Sequence, residues 1–129
     1  MTDVARHPLT LLTDEEREFQ TMVREFAVEK VKPRVSKMDH DAKLDKALVK
    51  EIFDLGIMGI EIPPELGGAG ATFFMSILAV EEMSHVDPSI GVIVDVQNTL
   101  FNNAILRWGT PEQKEKYFPR MAKDTMGAY

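Results

Sequence analysis

The chain is 129 residues long, enough for one domain around a single core, and 21 acidic against 15 basic side chains give it a net charge of −6. Its Lys and Arg residues are scattered among acids, which argues against nucleic acid or an anionic membrane surface as the main partner. It has no cysteine, and this excludes a disulfide scaffold, a thiolate metal site and thiol chemistry.

Residues 1–12 read as a flexible N-terminal segment, with neither an apolar signal core nor an Arg-rich amphipathic pattern to act as a targeting peptide. From Thr13 the sequence turns helical. Thr13-Asp14-Glu15-Glu16 has the capping-box form, and Phe19, Met22, Val23, Phe26, Ala27 and Val31 follow as one apolar stripe. Pro33 interrupts the hydrogen-bond ladder, so this helix should end near Lys32, followed by a kink or short helix to about Met38 and a polar turn at Asp39-His40-Asp41. Lys46 to Leu55 is expected to form the next helix, with Gly56 just past its end.

Between Gly59 and Gly70 lies a loop with Pro63 and Pro64 followed by Gly67, Gly68 and Gly70. Taken alone it is either a sharp connector or a shaped functional loop. It lacks the strand-before, helix-after context of a dinucleotide fingerprint and the Lys of a P-loop, so it is not read as a phosphate cradle. Thr72 or Ala71 should open a helix so apolar from Phe73 to Val80 that it is expected to be buried on most sides, at the centre of the bundle. Asp87-Pro88 forms an N-cap and N1 pair for a long helix to Trp108. That helix carries two apolar stripes, Ile90, Ile93, Val94, Phe101, Ala104, Ile105 and Trp108 on one face and Val92, Val96 and Leu100 with Asn103 on another, so both faces expect neighbours. Thr110-Pro111-Glu112-Gln113 caps a last helix to about Lys123, which Pro119 should kink or shorten, and residues 126–129 could begin a strand. The apolar runs are broken by Glu81-Glu82 and Asp95, short of the ~20 residues a membrane span needs, so no membrane insertion is expected.

The fold class is therefore all-α, a bundle of about five to six helices. Few side chains point to chemistry. Glu81 and Glu82 lack an accompanying Glu-x-x-His motif and read as a solvated helix end; Asp39, His40 and Asp41 read as a surface loop; His7 and His85 are isolated. Val96 and Leu100 fit ordinary core packing, whereas Gln97 among apolar neighbours must face a cavity or water, or meet a partner across a helix contact. Neither a catalytic residue nor a metal ligand is assigned.

From about Leu12 onward the chain resembles the N-terminal α-helical domain of the acyl-CoA dehydrogenases, most closely the short/branched-chain type. The resemblance is carried by Met58-Gly59-Ile60-Glu61, Pro64-Glu65-Leu66-Gly67-Gly68-Ala69-Gly70, Val80-Glu81-Glu82-Met83, Val96-Gln97-Asn98-Thr99-Leu100, and Gly109-Thr110-Pro111-Glu112-Gln113-Lys114 with Tyr117 and Pro119. It implies a helical domain over 13–125 and the first residues of a β-domain at 126–129, the rest of that domain and a C-terminal bundle lying beyond this chain. It further implies FAD-dependent α,β-dehydrogenation of a short or branched acyl-CoA, an electron-transferring flavoprotein as partner, a homotetramer, and the mitochondrial matrix if the source is eukaryotic. By resemblance Val96, Gln97 and Leu100 would bind substrate at the acyl end, and Tyr129 would flank the flavin. The catalytic base and most of the flavin site would lie beyond Tyr129, so the chain alone is expected to be inactive. Two other readings stand beside this one: a non-catalytic helical interaction module, and the corresponding domain of an acyl-CoA oxidase.

Overall fold

A computed structural model describes residues 11–128, and His7 and Tyr129 fall outside them. Five continuous helical rods are present among the described residues, as the apolar periodicity predicts. The first begins at α1 (Asp14–Phe26), whose N-terminus is closed by the Thr13–Glu16 capping box. It continues without a break through a π turn at Ala27–Val31 and a 3₁₀ turn at Lys32–Arg34 into α2 (Val35–Asp41). The expected end near Lys32 is thus corrected. In the π turn the Lys32 N–H reaches back five residues to the Ala27 carbonyl, so the ladder is already shifted when it meets Pro33, which has no N–H to give. Asp39, His40 and Asp41 lie exposed in the last turn of α2 rather than in a loop, and the reversal comes at Ala42.

Helix α3 (Lys46–Leu55) is capped by Asp45 and ends at Gly56, as expected. Arg34 fastens the 3₁₀ turn to it, donating to Glu51 at 2.7 Å. Helix α4 (Phe73–Val86) starts at Thr72, whose hydroxyl accepts from Met75 N–H. It packs on both α1 and α5 (Pro88–Asp95) and so is central, but it is less enclosed than its apolar sequence implied, since Phe73 and Ile77 are exposed. Glu82 on α4 is buried, correcting the solvated helix end, and only Glu81 remains in solvent. Arg24 of α1 donates to both Glu82 oxygens, at 2.8 and 2.7 Å. That bidentate hydrogen bond holds the Glu82 carboxyl below the usual carboxylate range.

The long helix is interrupted in register though not in path. Helix α5 passes into a π stretch, Val96–Asn102, and then into α6 (Asn103–Trp108). Two side chains account for this. Asn98 Nδ2 donates to the Val94 carbonyl at 2.9 Å and Thr99 Oγ1 to the Asp95 carbonyl at 3.0 Å, taking the acceptors that an α-helix gives to the backbone four residues on. Beyond that stretch Ala104 and Trp108 are exposed, Trp108 by 85%, so the first predicted stripe fails at its C-terminal end. Helix α7 (Pro111–Lys123) carries the expected capping box and runs through Pro119 to its predicted end without being shortened. Thr125–Ala128 follow without regular structure, so the strand suggested there is absent among the described residues.

Two apolar clusters make up the core. The larger joins Val23, Ala27, Val31, Leu48, Ile52, Met83, Ile90 and Val94, and the smaller centres on Ile62, Phe118 and Met121. Residues 57–62 run between them, buried except at Glu61, and their backbone has no helix to satisfy it. Ala69, Gly70 and Ala71 at the end of the Pro/Gly loop pair the carbonyls of Gly59, Ile62 and Ile60, and the π stretch supplies partners for the groups left over. Asn98 Oδ1 accepts from Ile60 N–H at 3.0 Å while Asn98 Nδ2 donates to the Ile57 carbonyl at 2.7 Å, and Asn102 Nδ2 donates to the Met58 carbonyl at 2.9 Å. No described helix is long and apolar enough to cross a membrane.

This packing has two testable outcomes. Asn98→Ala should leave buried groups of Ile57 and Ile60 unpaired and cost about 3 kcal/mol, read from urea unfolding; Asn98→Asp should cost at least as much, since it keeps the acceptor for Ile60 but replaces the donor with an oxygen set against the Ile57 carbonyl. Because the folded Glu82 pKa is depressed, its contribution is present at neutral pH and lost as pH falls through that depressed value. Arg24→Ala should therefore lower stability near neutrality and flatten its dependence on pH below the ordinary carboxylate range, measured by unfolding at a series of pH values.

Candidate functional site

The π stretch meets three different surroundings, because each i, i+4 pair along it looks in its own direction. Asn98 and Asn102 face the buried 57–62 segment. Gln97 and Phe101 face the last turn of α7 and the residues after it: Gln97 hydrogen-bonds to Met121, Thr125 and Gly127, and the Phe101 ring lies against Gly127. Val96 and Leu100 continue the line of Val92 on the outer side, with Val92 57% and Leu100 42% exposed and Val96 half-buried. Of the three residues expected at an acyl site, then, two lie on an open apolar stripe and Gln97 is buried next to them, 1% exposed.

Asn98 and Asn102 are residues to which sequence reasoning gave no role, and Asn103, placed there on the second stripe, is buried instead. Asn98 and Asn102 form an amide pair at helical spacing inside an apolar helix, and such amides need buried partners. Asn103 Nδ2 donates to Glu61 Oε2 at 2.7 Å. Burial pushes the Glu61 carboxyl upward, opposed by the nearby Arg107 charge and by that hydrogen bond. Glu61 is thereby held against the helix and serves to anchor the loop.

The Pro/Gly loop is closed on itself. Ala69 N–H donates to the Gly59 carbonyl, Gly70 N–H to Ile62 and Gly68 N–H to Pro63, at 3.0, 2.9 and 3.2 Å. A Cβ on Gly68 would stand 2.1 Å from the Ile62 carbonyl oxygen, so the two backbones meet where only glycine fits. With these N–H groups spent internally, the loop does not fit a phosphate or the pyrophosphate of a dinucleotide, and no chemistry is routed through it. The described residues include no group of three or more His, Asp or Glu able to hold a metal. Open surface grooves lie elsewhere, one of ≈ 540 Å³ bordered by Val35, Met38, Leu44 and Ile90, another of ≈ 740 Å³ bordered by Leu44, Val49 and Met126. Neither is lined by Val96 or Leu100.

Comparison with known proteins gives this arrangement a family. The sequence profile described as "Acyl-CoA dehydrogenase, N-terminal domain" matches residues 13–125. The probable short/branched chain specific acyl-CoA dehydrogenase of Dictyostelium discoideum is 48% identical over 122 residues, which cover 95% of this chain and 30% of that protein. The mitochondrial short/branched chain specific acyl-CoA dehydrogenase of Bos taurus is 47% identical over 117 residues, 91% of this chain and 27% of that one. The solved glutaryl-CoA dehydrogenase of Mycobacterium smegmatis in complex with FADH2 superposes with a TM-score of 0.79 at 34% identity, covering 88% of this chain and 29% of its own. The chain spans less than a third of the length of these relatives. It belongs to the acyl-CoA dehydrogenase family and corresponds to that family's N-terminal helical domain.

Proposed function

We propose that this chain is the N-terminal wall of a FAD-dependent dehydrogenase acting on short or 2-methyl-branched acyl-CoA. The observation that carries the reading is the open stripe of Val92, Val96 and Leu100, an apolar face left uncovered beside an inner face where Asn98 and Asn102 donate to the buried 57–62 segment. Relatives of the short/branched-chain type, 47–48% identical, support the substrate class.

In such an enzyme FAD supplies the hydride acceptor, and the work of this chain is to shape and dry the acyl end of the site. Val96 and Leu100 offer methyl groups to a short apolar tail, and Gln97 keeps its place in the wall from its buried position next to them. The bulk of Val96 and Leu100 limits the chain length that fits, since each methylene admitted or refused changes binding by about 1–3 kcal/mol. Tyr129 is assigned to the edge of the flavin, residues 126–129 to the start of the β-domain, and the family's electron-transferring flavoprotein to the role of electron acceptor. A homotetramer is proposed for the complete enzyme, and the mitochondrial matrix for its location in a eukaryotic cell, in line with the mitochondrial bovine relative.

Two measurements test this. The purified 129-residue chain should not turn over butyryl-CoA or 2-methylbutyryl-CoA, and turnover would sink the division of labour proposed here. In a complete enzyme bearing this domain, Leu100→Ala should raise kcat/KM for longer straight acyl chains relative to 2-methylbutyryl-CoA by about tenfold, and Leu100→Trp should do the reverse. Because Leu100 is 42% exposed, neither change should disturb the core, and an unmoved length profile in both variants would remove the helix from the acyl site.

A further inference from the structure

The carboxamide of Gln97 is fully engaged with backbone. Its Nε2 donates to the carbonyls of Met121 and Thr125, each at 3.0 Å, and its Oε1 accepts from Gly127 N–H at 2.8 Å. The Met121 carbonyl is one that α7 leaves unpaired as it ends, and the other two groups belong to the irregular chain just after it. The Thr125 N–H turns back to the Arg120 carbonyl at 2.9 Å, so the Met121 carbonyl loses its usual partner four residues on. The next residue on the same face, Phe101, completes the grip. A Cβ at Gly127 would lie 2.2 Å from Phe101 Cγ, so the backbone there rests directly on the ring and only glycine can occupy the place.

A side chain that greets a ligand keeps a donor or acceptor turned toward open space. Gln97 has both amide protons committed and is 1% exposed. We propose that Gln97 is a positioning residue: with Phe101 it latches Thr125–Gly127 to the π stretch and fixes the point and direction in which the chain leaves the helical domain. The latch stands on this chain alone. Its functional half, that the exit path sets the placement of Tyr129 and of the β-domain attached to it, rests on the dehydrogenase reading above.

The latch is tested in the 129-residue chain by amide hydrogen exchange. Gln97→Met keeps the length and bulk of the side chain but none of its three hydrogen bonds, and Gly127 should exchange at least about tenfold faster while Ile52 and Phe53 stay protected. Gly127→Ala alters only the end of the chain and should free the same segment, so the test survives if Gln97→Met does not fold. In Gln97→Glu, protection of Gly127 should increase as the introduced carboxyl protonates and regains a donor, a pH response that packing alone would not produce. Unchanged exchange at Gly127 in a folded Gln97→Met, or of the Thr125–Gly127 segment in Gly127→Ala, overturns the latch. In a complete enzyme, Gln97→Met should leave the relative kcat/KM across acyl lengths unmoved, unlike Leu100→Ala. A shifted length profile with Gly127 still protected would overturn the positioning role and make Gln97 a substrate contact. An inert wild-type enzyme would overturn the functional half together with the dehydrogenase reading, leaving the latch to be decided by exchange.

Discussion

The fold depends on how a stretch of irregular backbone is kept in a dry core. Residues 57–62 pass between two apolar clusters carrying amide and carbonyl groups that no helix pairs, and a buried unpaired group costs on the order of 1–3 kcal/mol. Asn98 resolves part of this cost with one carboxamide, which accepts from Ile60 and donates to Ile57, and the N–H groups of Ala69, Gly70 and Ala71 pair the carbonyls of Gly59, Ile62 and Ile60. Asparagine suits the task because its side chain carries the same donor and acceptor as a peptide unit. The position of the Pro/Gly loop, and through it the smaller cluster around Ile62, Phe118 and Met121, depends on that pairing.

The same residue shapes the helix that carries it. By drawing on the Val94 carbonyl, Asn98 helps to open the ladder into a π register, and Thr99 does the same one residue later. The wider turn lets one short segment serve a buried loop, the chain beyond α7 and the open apolar stripe at once. Such departures from α geometry are frequent at functional sites. The first rod uses the device differently, placing its π turn just ahead of Pro33 so that the proline enters a ladder already shifted.

Much of the architecture was legible in the sequence because helix ends are written in local chemistry. Thr13, Thr72, Asp87 and Thr110 all act as N-caps where their spacing predicts them, and Gly56 ends α3. Apolar periodicity failed where register changed: a stripe drawn at 3.6 residues per turn through Val96–Asn102 puts Trp108 inward, and the π stretch turns it out to solvent. Glu82 was misread because its partner Arg24 is 58 positions away, and charge pairing at that distance leaves no local mark. At the candidate site, the polarity of Gln97 showed that it needed partners, but not that they would be backbone groups 24 to 30 residues further on.

The π stretch also sets the phase of everything that follows it. A π bulge amounts to one residue absorbed into an α-helix, so if the ladder through Val96–Asn102 relaxed to ordinary α register at the same chain length, the rod would have to take that residue into its own spiral. Helix content would barely change. Yet everything from Asn103 to Trp108 would be turned by about 100° and pushed on by ~1.5 Å, carrying Asn103 away from Glu61 and redirecting the entry to α7. A variant relaxed in this way would pass for native by circular dichroism while presenting a different surface to whatever lies against it.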